Sequence, residues 1–104
     1  MRRRTRAREI AVQFLYQLDL RKDEVLDELE DFVQQESSVD EVRTFALRLI
    51  QGAREHMEET DAVLRRVTRN WDLGRMATLD RNVLRMAVFE ILHCDDIPPK
   101  VTIN

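Results

Sequence analysis

Glycine and proline are nearly missing from this chain, with two of each in 104 residues. Turns, bulges and sheet edges draw on both, so their scarcity excludes a turn-rich β architecture and favours helices with short links. No stretch alternates apolar and polar residues as a strand does, and the fold class reads as all-α. A single cysteine, Cys94, excludes an internal disulfide and fits a reducing compartment, with the cytoplasm as the default. No apolar run is long enough to span a bilayer and no secretory core follows the N-terminus, so no membrane role is expected. The length allows one domain, residues 1–104, with a modest core.

Catalytic machinery is also lacking. There is no glycine-rich phosphate loop and no nucleophile elbow. His56 and His93 stand far apart in sequence, without a second His or a Cys at metal-ligand spacing, and read as surface or half-buried side chains. Cys94 has only His93 beside it, and neighbours on a helix do not face one another, so it reads as a structural thiol. Glu58/Glu59 and Asp95/Asp96 read as solvated carboxylates. The expectation is a protein that is not an enzyme, with no cofactor and no metal.

What the chain does have is polarised charge. Arg2, Arg3, Arg4, Arg6 and Arg8 precede the first acidic residue, Glu9, and the remaining residues carry 12 basic against 20 acidic groups. A basic end on an acidic body suits a polyanion ligand while limiting indiscriminate binding. A mitochondrial presequence would contain serine and run further before meeting an acid. Five guanidinium groups can contact several phosphates, in bidentate fashion where geometry permits. Gln13 and Tyr16 share the helix face that continues from Arg6, where an amide can read a base edge and a ring can stack on an unpaired base. For Tyr16, partial burial under the next helix is an equal alternative.

Five helices are expected. The first runs from about Thr5, its N-cap, to Leu20, with Ala7, Ile10, Ala11, Phe14, Leu15 and Leu18 inward and Arg2–Arg4 as a flexible arm. The second covers Asp23–Gln35 with Val25, Leu26, Leu29, Phe32 and Val33 as its stripe, and Ser37, Ser38 and Asp40 mark a turn and cap. The third reaches about Glu58 with Val42, Phe45, Ala46, Leu49, Ile50, Ala53 and Met57 inward; a close helix–helix approach would explain Gly52 in its interior. Thr60 caps a short fourth helix that uses Val63, Leu64 and Val67, and NWDLG breaks the pattern, with Trp71 as a plug over the bundle. The fifth, Leu79–His93, is apolar almost all round and demands surrounding partners, until Pro98 and Pro99 stop it. Asp80 lies in its first turn, where a carboxylate favours the helix dipole, and Arg81 and Arg85 form an i, i+4 pair. These three could be solvated surface or a contact for a protein partner.

Taken in order, RRRTRAREIAVQFLYQ (Arg2–Gln17), FALRLIQG (Phe45–Gly52), NWDLGRM (Asn70–Met76), LDRNVLRMAVFEIL (Leu79–Leu92) and DIPPKVTIN (Asp96–Asn104) resemble the NusB family of bacterial transcription factors. The arginine-rich start and the DRNVLRMAVFEIL…IPPKVTIN block carry the resemblance, and Lys22–Val42 adds little. It implies an all-helical fold of two small bundles, the second incomplete here. The implied function is transcription antitermination on ribosomal RNA operons. The implied partners are the ribosomal protein NusE, boxA-type single-stranded RNA and the antitermination complex on RNA polymerase. The N-terminal arginines would form the RNA-binding segment, with Tyr16 near both that surface and the NusE contact. Asp80 would face NusE, and Arg81 and Arg85 lie on the same helix. Family sequences continue beyond VTIN into further helices that pack on the fifth and contribute to RNA binding. Truncation, an incomplete gene or exchange between chains would account for the difference, and the oligomeric state stays open between monomer and homodimer. Two other readings are weighed: an RNA-binding domain like that at the N-terminus of some ribosomal RNA cytosine methyltransferases, and a helical protein-interaction module with a basic arm.

Overall fold

The α-helical backbone begins at Arg2, three residues before the expected cap. The computed structural model describes residues 2–67, 72 and 74–94. Its elements are α1 (Arg2–Arg21), a 3-10 segment (Lys22–Glu28), α2 (Leu29–Glu36), α3 (Asp40–Glu55), α4 (Met57–Val67) and α5 (Thr78–His93), with no strand among the described residues. The chain divides into two compact units, Met1–Gln51 and Gly52–Asn104. The expectations for Trp71, for Pro98 and Pro99, and for the terminal KVTIN fall outside the described residues.

In the first unit, Ala7, Ile10, Ala11, Phe14 and Leu15 are buried from α1, as the 3.6-residue period requires. They pack against the following segments, where Val25, Leu29 and Val33 are buried, and Val42, Phe45, Ala46, Leu49 and Ile50 of α3 are buried in the same unit. Full burial of a side chain such as Ile10 contributes about 1.5–3 kcal/mol. Phe14 and Phe32 pack as tilted rings, 5.4 Å between centroids at 50°. The second expected helix is present in two parts, a 3-10 segment and then α2. At the first residue of that segment, Lys22 adopts φ 60°, the left-handed conformation that ends a helix and that an L-residue reaches only at a cost.

Three boundary expectations change. Thr5 is not a cap but an exposed residue inside α1, and Arg2–Arg4 are helical rather than a flexible arm. Thr60 likewise lies within α4, buried, and its hydroxyl donates to the Met57 carbonyl at 3.0 Å instead of capping. Met57, expected in the core, is exposed, as is Val67. The break between α3 and α4 falls at His56, yet i→i−4 hydrogen bonds continue on both sides, His56 N–H to Gly52 O and Thr60 N–H to His56 O, each 2.9 Å. That continuity is why periodicity alone merges the end of one helix with the start of the next.

The second unit packs α4 against α5, burying Leu64, Met86 and Phe89 together with Ala53 and Cys94. Gly52 is buried, and a Cβ built on it would overlap the Phe89 ring. The expected close approach is real: glycine makes room for an aromatic ring. Polar residues are buried as well. Asn82 donates from Nδ2 to the Thr78 carbonyl at 2.8 Å, and Asp61 accepts from Arg85 at Nε (2.7 Å) and Nη2 (2.9 Å). By contrast, Leu79, Val83, Ile91 and Leu92 of α5 are exposed, so the all-round apolar helix is only partly covered.

A methyl group at position 52 should therefore be expensive. Gly52→Ala gains up to about 1 kcal/mol of helix propensity, against about 1–3 kcal/mol for overpacking the Phe89 ring. Denaturant titration is expected to show net destabilisation, partly recovered in the double variant Gly52→Ala/Phe89→Leu. A stabilised single variant would contradict this packing.

Candidate nucleic-acid interface

Placing arginines in the first two turns of a helix opposes its dipole, whose positive end lies there; each such cation costs about 0.3–1 kcal/mol. No acidic residue occupies the first turn of α1 to offset this. The compensation comes from elsewhere in the first unit. Arg3 Nη1 donates to Glu41 Oε2 at 2.8 Å, and Arg6 Nη2 donates to the Glu36 carbonyl at 3.1 Å and to its Oε1 at 3.5 Å. Arg4 is half-buried, with its guanidinium 4.0 Å from the centroid of the Phe45 ring, while that of Arg8 lies 5.9 Å away. A cation over an aromatic face is how Arg4 can point inward, although periodicity alone counts an arginine on the apolar face against a helix that starts before Thr5.

Arg2, Arg6, Glu9, Gln13, Tyr16 and Leu20 recur at intervals of three and four, forming one stripe of α1. Arg2, Glu9, Gln13 and Leu20 are exposed along it, Arg6 is half-buried, and Tyr16 stands at 36% exposure. The stripe therefore presents cations, the Glu9 carboxylate, an amide and an aromatic ring in sequence along about 20 Å, at roughly 1.5 Å per residue. The arginines consequently serve two ends. Arg3, Arg4, Arg6 and Arg8 contact their own unit, while the open side of α1 offers groups that phosphates and bases can use.

In the second unit, Asp80 is exposed in the first turn of α5 and Arg81 is half-buried. Arg85 forms its bidentate pair with Asp61, with side chains only 14% and 12% exposed. This gives Arg85 a place inside the bundle, which the i, i+4 pattern with Arg81 could not reveal. The structure also joins two residues that the sequence keeps apart: the His56 and His93 rings stack at 4.0 Å. Their sequence separation of 37 residues concealed it.

Two carboxylates carry the electrostatic signature of these contacts. The hydrogen bond and then the charge of Arg3 hold Glu41 below its ordinary 4.5, and the hydrogen bond from His93 does the same for Glu59. A depressed carboxyl stabilises the fold above its unfolded pKa, and that contribution is lost as pH falls through the lower folded value. Arg3→Ala is expected to move the Glu41 midpoint upward in a carboxyl-detected NMR titration; an unchanged midpoint would rule out the Arg3 contact in solution. Separately, Asp61→Ala removes the bidentate partner of a poorly exposed guanidinium and is expected to cost about 3 kcal/mol in denaturant unfolding, and a loss under about 0.5 kcal/mol would rule out a buried pair.

Comparison with known proteins places these elements in a family. The NusB family model matches residues 5–104. The transcription antitermination protein NusB of Syntrophus aciditrophicus (strain SB) is 41% identical over 104 residues, which is 100% of this chain and 65% of the relative. This chain thus spans a little under two thirds of that protein's length. T. maritima NusB superposes with a TM-score of 0.79 at 35% identity, covering 97% of this chain and 70% of the other. A chain in the crystal structure of a plectonemic RNA supercoil superposes with a TM-score of 0.85 at 27% identity, covering 98% and 75%. Since the family model takes in nearly every residue, from Thr5 inside α1 to the final Asn104, the chain belongs to the NusB family.

Proposed function

We propose that this chain is a non-enzymatic transcription antitermination factor, acting in the cytoplasm on boxA-type single-stranded RNA of ribosomal RNA operon transcripts. NusE is its protein partner in this reading, and the pair joins the antitermination complex on RNA polymerase. Family membership and the name carried by its relative support the role, and the RNA-supercoil neighbour supports RNA as the ligand class. The observation that carries it is the α1 stripe: arginines at the dipole-positive end of a helix, followed by exposed Gln13 and Tyr16. An anion at that end relieves the charge crowding that Glu41 and Glu36 only partly offset. The acidic remainder of the chain repels phosphate elsewhere and complements a basic ribosomal protein, for which exposed Asp80 on α5 is the proposed contact and half-buried Arg81 a lesser one.

Arginine and aromatic contacts differ in their salt dependence, which makes the reading testable. Fluorescence anisotropy with labelled boxA-type RNA and a scrambled control, across salt and with and without purified NusE, should show preferential binding tightened by NusE. Arg2→Ala/Arg3→Ala is expected to reduce the log–log salt slope by about 0.7 for each phosphate that is no longer neutralised. Tyr16→Ala is expected to cost about 1–3 kcal/mol of binding with little change in slope. Equal weak binding of both RNAs, insensitive to these substitutions, would sink the proposal and favour a helical protein-interaction module.

A further inference from the structure

We propose that His56, Glu59 and His93 form a binding site for a divalent transition-metal ion, with Zn2+ the ion that suits the donor set. The site lies wholly within the second unit and shares no residue with the α1 stripe. His56 stands at the junction of α3 and α4, Glu59 follows one turn later in α4, and His93 ends α5. Spacing of three on a helix puts His56 and Glu59 on one face, and the packing of α5 on α4 delivers His93 to the same point.

The donor atoms converge. Glu59 Oε1 lies 2.5 Å from His93 Nε2 and 3.5 Å from His56 Nδ1, and one ligand atom from each residue falls within 4.8 Å of the others. Zinc bonds of about 2.0–2.2 Å arranged tetrahedrally place donors roughly 3.3–3.6 Å apart, within the range these three side chains span. Two imidazoles and one carboxylate are a borderline set that favours Zn2+ and its transition-metal neighbours over Mg2+ or Ca2+, which prefer all-oxygen shells. The side chains are 38%, 51% and 30% exposed, so an ion can enter from solvent and retain a water in its fourth position.

The rings are held before any ion arrives. His56 and His93 stack on each other at 25°, and Phe89 stacks on both, with centroids 5.7 and 5.4 Å away. Phe89 in turn rests against the bare Cα of Gly52. Gly52 thereby acts indirectly, by seating the aromatic ring that orients the imidazoles. Such packing lowers the ordering cost of binding and makes the cluster more than a surface ion pair. Both histidines of the chain are used, so no other imidazole competes. A bound ion would fasten the end of α5 to the beginning of α4.

Isothermal titration of the tag-free 104-residue chain with Zn2+ tests this, supported by visible absorption with Co2+ as a spectroscopic substitute. Saturable 1:1 binding is expected, undisturbed by excess Mg2+, with Co2+ d–d bands of low-coordinate geometry and no thiolate charge-transfer band. His93→Gln, His56→Asn and Glu59→Gln keep side-chain bulk and are each expected to weaken binding by at least about tenfold, whereas Cys94→Ser leaves it unchanged. Zn2+ should raise the unfolding temperature of the wild type and not of His93→Gln. Absence of saturable binding would overturn the proposal, as would affinity indifferent to the histidine substitutions. Loss of binding in Cys94→Ser would overturn it too, by assigning the metal to the thiol.

Discussion

Everything distinctive about the first unit follows from putting arginines at the positive end of a helix dipole. That arrangement opposes helix formation at the N-terminus of α1, and the fold tolerates it by giving the cations partners in neighbouring segments. Glu41 receives Arg3, the end of α2 receives Arg6, and the Phe45 ring lies under Arg4. These contacts fix the first turns as helix and aim the remaining edge of α1 outward. The same contacts that hold the basic end in place thus leave exposed the stripe of α1 on which the proposed RNA contact rests.

The second unit rests on a different device, steric rather than electrostatic. Gly52 gives up helix propensity so that Phe89 can approach the backbone. Phe89 then sets the two histidine rings, while Arg85 and Asp61 tie α5 to α4 by a bidentate, poorly exposed pair. Exposed Leu79, Val83, Ile91 and Leu92 show that α5 has more apolar surface than the described residues cover. Its all-round apolarity was legible in sequence, but how much of it is covered was not, because coverage depends on which segments pack against the helix.

Much of the fold could be read directly. The α1 core face from Ala7 to Leu15, the α3 stripe and the close approach at Gly52 all follow from a 3.6-residue period and the cost of glycine in a helix. The α1 stripe of Arg6, Gln13 and Tyr16 was legible for the same reason. Boundaries were less so. Thr5 and Thr60 look like caps, yet both lie inside helices, because a cap depends on where the backbone leaves helical dihedrals and not on the side chain alone.

Composition and local period are enough to make this an all-α chain, acidic except at one end, with Arg6, Gln13 and Tyr16 on a shared face of the first helix. These properties depend on composition and local period, which tertiary packing does not alter. Long-range packing, by contrast, sets which arginines are engaged internally, pairs Arg85 with Asp61 and brings His56 beside His93. Each of those pairings joins residues at least 24 apart, and no local rule of periodicity or capping reaches that far.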